Sequence, residues 1–83
     1  VGKLPVVNGK DLVHYLCRHG YNVIRIHGSH HFCVLQDGTG TPLDIPVHAN
    51  ENVAKGTLRN IIKVYAKNES VTEEVAKEMI RRA

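Results

Sequence analysis

The chain has 83 residues, 42% of them apolar, which is enough for one small core and too few for two. That fraction predicts a folded chain, and no apolar run approaches the roughly 18 residues of a membrane-spanning helix. A net charge of +3 points toward an anionic partner, while no tryptophan, one phenylalanine and three tyrosines argue against extensive base stacking on an aromatic platform.

Asn8 is a good helix N-cap, and Asp11 three residues later makes a capping box with a shortened acid. Leu12, Val13 and Leu16 follow at helical spacing and Gly20 supplies the stop, so a helix is predicted over about 9–19. Residues 21–27 are rich in β-formers and read as a strand. Gly28-Ser29 then makes the bend of a hairpin whose second strand covers 30–36. Asp37-Gly38-Thr39-Gly40 is a second turn, before a third strand over 41–47 limited by Pro42 and Pro46. Either Phe32 and Val34 or Cys33 and Leu35 could face inward, so alternation alone leaves the direction of His30 open.

Residues 48–54 read as a polar loop. A helix over about 55–66 carries Leu58, Ile61, Ile62 and Tyr65 on one face. Ser70-Val71-Thr72-Glu73 has the form of a capping box, and Val71, Val75, Ala76, Met79 and Ile80 predict a last helix over about 71–82. The expectation is one α+β domain over 1–83, with a core of about 8–67 and an additional C-terminal helix. Three meandering antiparallel strands would have one face covered by helices. The first five elements, α-β-β-β-α, follow the order of the double-stranded-RNA-binding fold.

His30 stands at the mouth of a tight turn, reachable from solvent on a rigid hairpin, and imidazole exchanges protons near neutral pH. His31, its neighbour on the strand, points to the other face and cannot share its task. His27, His30, His31 and His48, with Cys33, raise a zinc alternative. Zinc sites favour paired ligands from two segments, and here the second segment offers only His48. Cys17 and Cys33 lack CxxC spacing and read as small buried hydrophobes in a reducing compartment rather than as a disulfide. The first residues do not follow the charged-then-apolar order of a secretory signal, so the chain is expected in the cytoplasm.

Charge is uneven. Lys55, Arg59, Lys63 and Lys67 recur every four residues with only Glu51 nearby, while the last sixteen residues carry an excess of glutamate. Like charges at that spacing cost helix stability a few tenths of a kcal/mol each. The bland alternative is a solvated face; the functional one is a ridge that follows phosphates without reading sequence. Gly56 and Thr57 open the same helix, where free N–H groups attract phosphate and Gly56 permits close approach.

Together these blocks resemble the HicA family of toxins, small ribonucleases of prokaryotic toxin–antitoxin pairs. The resemblance runs from Leu4-Pro5 through Gly9-Lys10-Asp11-Leu12, Gly20-Tyr21, Gly28-Ser29-His30-His31, Asp37-Gly38, Ile45-Pro46-Val47-His48 and Gly56-Thr57-Leu58-Arg59 to about Lys63. It implies a double-stranded-RNA-binding-like fold and the toxin of a type II system that cleaves mRNA without metal or other cofactor. The catalytic histidine after the Gly-Ser pair maps to His30. Gly28, Ser29, His48, Lys55, Gly56, Thr57, Arg59 and Lys63 are the expected RNA contacts. A HicB-type antitoxin is the implied partner, expected to cover His30 and the basic ridge together as one face. For the leaving oxygen, His48, a lysine or water are the candidate acids. Two other classes remain beside this: a non-catalytic RNA-binding module of the same fold, and a zinc-organising domain. Beyond Lys63 the chain departs from the family pattern, with Lys67-Asn68-Glu69 in place of a glycine-containing connection and a longer closing helix.

Overall fold

The computed structural model describes residues 3–83. Asn8 starts α1 (Gly9–Arg18), its side-chain oxygen accepting the Asp11 N–H at 2.8 Å. Leu12, Val13, Tyr15 and Leu16 form the buried stripe. The helix stops where Gly20 takes a positive φ of 95°, close to the predicted end. At Gly9 the first turn of α1 lies so close to the third strand that a Cβ would collide with the Pro46 carbonyl oxygen. Glycine is needed there for contact, since its φ is not positive.

Three antiparallel strands follow in spatial order: β1 (Tyr21–His27), β2 (His30–Leu35) and β3 (Leu43–Pro46). β1 carries a bulge between Val23 and Arg25, which leaves Ile24 without a partner on β2. β3 is shorter than the predicted 41–47 because its ends are held by other means. Thr41 exchanges two hydrogen bonds of 2.8 Å with the Asn68 side chain of the next helix. Val47 N–H donates to Ser29 O at 2.7 Å, tying the exit of β3 to the β1–β2 turn.

The second helix, α2 (Lys55–Glu69), runs three residues past the predicted 66. It ends at Ser70, whose φ is +57°, with Val71 N–H bonded to Ala66 O at 3.0 Å. This is a Schellman closure built on serine instead of glycine. Ser70 therefore ends one helix and does not cap the next. The cap of α3 (Glu73–Ile80) is Thr72, which accepts from Val75 N–H at 3.2 Å. Predicted over 71–82, this helix begins later because the chain must first leave the left-handed residue. It ends earlier as Arg82 N–H and Ala83 N–H close tighter turns onto Met79 O at 3.2 Å and Ile80 O at 2.9 Å.

One face of the sheet takes all the helix packing. Tyr21, Cys33, Leu43 and Ile45 point into the core formed with Leu12, Leu16, Leu58, Ile62 and Tyr65. Ala76 and Ile80 seal α3 onto it. Tyr21 keeps its hydroxyl satisfied by donating to Glu69 Oε2 at 2.9 Å. The result is the α+β order α-β-β-β-α with a C-terminal helix, in two layers spanning 34 × 30 × 20 Å. Among the described residues no helix is long and apolar enough to cross a membrane. The opposite face of the sheet has no layer of described residues over it.

Candidate active site on the open sheet face

Alternation on β2 and β3 settles the direction of His30. Cys33 on β2 and Leu43 and Ile45 on β3 are buried against the helices. His30, Phe32 and Asp44 consequently project from the uncovered side. His30 follows the two-residue turn in which Gly28 adopts φ +60°. In the ladder it stands opposite Pro46 and His27, two pairs beyond the Phe32–Asp44 pair and on the same face. Its ring crosses that diagonal, and His30 Nδ1 lies 2.7 Å from Asp44 Oδ1.

About half of each side chain is exposed, 51% for His30 and 48% for Asp44. A carboxylate only accepts, so Nδ1–H of the imidazole donates to Asp44, and in the neutral ring this tautomer leaves the lone pair on Nε2. A histidine oriented by a hydrogen-bonded carboxylate is one of the arrangements in which imidazole can remove a proton from a hydroxyl. Beside it, Phe32 is half-buried, its ring centroid 6.5 Å from that of His30 and the Arg25 guanidinium 4.4 Å above it.

His31 turns to the other side, where its Nδ1 lies 3.3 Å from Ser29 O. Ser29 O thus lies against both the His31 ring and the Val47 N–H. His48 is exposed just after Val47 and shares a cleft with Pro46, Glu51, Asn52 and Thr57 at the start of α2. Thr57 also lines the adjoining cleft, about 250 Å³, with Asp44 and Asn60. Thr57 is thus common to two clefts along the edge of β3, one lined by Asp44 and the other by His48. The N-terminus of α2 is open there: Ala54 provides no side-chain cap, and the first turn holds no acid. Gly56 has nothing within 4 Å of its absent Cβ and no positive φ, so packing does not call for glycine.

Lys55, Arg59, Lys63 and Lys67 are all exposed and make no ion pair among the described residues. They do not share the face of His30. Arg59 and Lys63 line a cleft with Leu4, Glu73 and Lys77, turned toward α3 on the helical side of the molecule. The reason is the layering: α2 packs on the sheet face opposite His30, so the solvent-facing ridge of α2 points further away still. The expected single face is thus two surfaces joined around the edge of β3.

Among the described residues no three His, Cys, Asp or Glu side chains gather as metal ligands. Both cysteines carry free thiols; Cys33 is buried, and Cys17 is exposed, contrary to the expectation of a buried pair. Burial pushes the Cys33 thiol up to about 11 and holds the hydroxyls of Tyr21 and Tyr65 well above their usual range. In the β2–β3 turn, hydrogen bonds from Thr39 keep the Asp37 carboxyl below its usual value.

Asp44 is the candidate site residue that reading the sequence missed. An aspartate between Leu43 and Ile45 in a short strand was the available signal, since acids are depleted from strands and this one alternates with two core residues. Its pairing with His30 depends on the β2–β3 register, which the sequence does not display.

The fold and site together define a small α+β protein whose polar chemistry sits on a bare sheet face. A family model described as the HicA toxin of bacterial toxin–antitoxin systems matches residues 9–65, which is 57 of the 83 residues, and the chain belongs to that family. Comparisons with curated proteins and with solved structures return no match. As a HicA toxin, it is one half of a toxin–antitoxin pair.

Proposed function

We propose that this toxin is a metal-independent endoribonuclease that cleaves mRNA with His30 as general base. The observation that carries the reading is the 2.7 Å contact between His30 Nδ1 and Asp44 Oδ1, with half of the ring open to solvent. RNA brings its own nucleophile. Nε2 removes the proton of a 2′-hydroxyl, the 2′-oxygen attacks the adjacent phosphorus, and the 5′-oxygen leaves. The products are a 2′,3′-cyclic phosphate and a 5′-hydroxyl, the latter protonated by His48, a lysine or water. A positioned base contributes typically about 10²- to 10⁴-fold.

The backbone of the strand runs from the open face around the edge of β3. There the uncapped N–H groups of Lys55, Gly56 and Thr57 meet one phosphate. Arg59 and Lys63 hold more distant ones on the helical side, while Gly28, Ser29 and His48 border the turn. The partner is a HicB-type antitoxin acting in the cytoplasm by covering the open face. The ridge need not be included, because the two surfaces are separate.

Expression of wild type and His30→Ala, with mRNA integrity and growth as readouts, tests this reading. His30→Ala is expected to abolish cleavage in the presence of EDTA and in its absence. Its circular-dichroism spectrum and melting temperature should stay close to wild type, since the side chain lies outside the core. Cleavage by His30→Ala at near the wild-type rate overturns the assignment, and loss in EDTA restored by zinc moves the chemistry to a metal.

A further inference from the structure

The chain has a single phenylalanine, and it is not in the core. Among the described residues, seventeen buried hydrophobic side chains form that core, all of them Leu, Ile, Val, Tyr, Ala or Cys, while Phe32 lies on the uncovered face of the sheet. Its ring is next to His30 along β2 and directly opposite Arg25 on β1. The centroids of Phe32 and His30 are 6.5 Å apart and the ring planes differ by 27°, so the two rings form one shallow terrace. Arg25 lays its guanidinium 4.4 Å over the Phe32 ring and is otherwise exposed. A cross-strand cation–aromatic pair of this kind steadies a sheet only slightly. It does not explain why a large aromatic is placed beside the base on the bare side.

The chemistry of the neighbouring histidine supplies a reason. In-line attack by a 2′-oxygen requires a nucleotide free to rotate, and a regular duplex holds the 2′-oxygen, phosphorus and leaving oxygen out of line. An unpaired nucleotide whose base has left its stack seeks another π-face, and single-stranded RNA is recognised on aromatic rings and arginine planes. We infer that Phe32 is the subsite for one unpaired RNA base adjacent to the phosphate served by His30. Single-stranded RNA is then the substrate, although the order of elements is that of a double-strand binder. The base takes the place of the Arg25 guanidinium on the ring, since 4.4 Å leaves no room between them. The freed Arg25 swings on its flexible stem to the flanking phosphate. A single ring accommodates a single base, in keeping with the poverty of aromatics in the chain.

This inference rests on the ribonuclease reading, so its test is run on protein that need not cut. In the His30→Ala background, a short single-stranded oligoribonucleotide containing 2-aminopurine is titrated and its fluorescence followed. Stacking on Phe32 is expected to quench the probe. Adding Phe32→Leu, which keeps apolar bulk on the strand, is expected to weaken binding about 5- to 100-fold and remove the quench. Phe32→Tyr retains the ring and is expected to restore both. In the active protein, Phe32→Leu should raise KM much more than it lowers kcat, and a fully paired duplex of the same sequence should resist cleavage. Unchanged affinity and quench in Phe32→Leu, or a duplex cut as fast as the single strand, overturns the subsite. Cleavage persisting in His30→Ala would instead sink the general-base reading, while the quench would still decide the role of Phe32.

Discussion

At the scale of single residues, the contact between His30 and Asp44 favours, in the neutral ring, the tautomer with its proton on Nδ1. An asparagine at position 44 can turn its amide N–H toward Nδ1, which then accepts, and the ring proton moves to Nε2. The base is then occupied at the atom that should remove a proton. Asp44→Asn is accordingly expected to lower kcat on the order of 10²-fold with KM nearly unchanged. Nitrogen chemical shifts of the His30 ring are expected to report the opposite tautomer in the variant. A change in KM alone, with the same tautomer, would make Asp44 a substrate contact instead.

At the scale of elements, helix ends and charged faces decide behaviour. Ser70 holds a left-handed conformation that disfavours L-residues. Ser70→Gly is expected to stabilise the protein by about 0.5–1 kcal/mol in urea unfolding, because glycine adopts this geometry without a Cβ clash. On α2, Arg59→Gln with Lys63→Gln is expected to weaken RNA binding about equally across sequences. It should also flatten the dependence of log K on log salt, by about 0.7 for each phosphate of a single strand that the variant no longer neutralises. An altered sequence preference with an unaltered slope would remove the ridge from the RNA path.

Most elements were legible because their signals are local: the Asn8 cap, the Gly28-Ser29 bend and the apolar spacing of Leu58, Ile61, Ile62 and Tyr65 each depend on a few neighbouring residues. The orientation of His30 was not, because β2 is apolar on both alternations and the bulge at Ile24 breaks the pattern of β1. The Ser70 box failed for a related reason. The S-x-x-E pattern does not reveal whether its serine closes a helix or opens one, and here tertiary packing carried α2 on to Glu69. Asp44 escaped notice because a cross-strand partner is set by register rather than by spacing along the chain.

At the scale of the whole molecule, the acidic protons buried in the core determine the response to alkali. Cys33 is raised from an ordinary 9.0 to about 11, and Tyr21 and Tyr65 are raised from an ordinary 10.0. The unfolded chain releases these protons first, so above the ordinary values it binds fewer protons than the folded state and stability falls as pH rises. Stability is expected to hold up to about pH 9, to decline from there as the unfolded thiol ionises, and to decline more steeply above about 10 as the tyrosines join. Denaturant midpoints measured at about pH 8, 9.5 and 10.5 check the sequence of events. Cys33→Ala should reduce the slope of the first segment whatever it does to the absolute stability. A flat profile through about pH 10.5 would contradict the burial of these groups.

The bare face of the sheet has an evolutionary meaning. Every large side chain that holds the fold points toward the helices, whereas His30, Phe32, Arg25 and Asp44 lie on the other side of a single layer of backbone. On the proposed reading, mutations that retune what this toxin attacks fall where folding is nearly indifferent to them, and mutations in the core leave that face largely alone. A lineage can explore new targets on this side without first acquiring spare stability. If the antitoxin covers this face as proposed, it has to keep pace with that one drifting surface, and the pair can diverge quickly while the scaffold beneath stays the same.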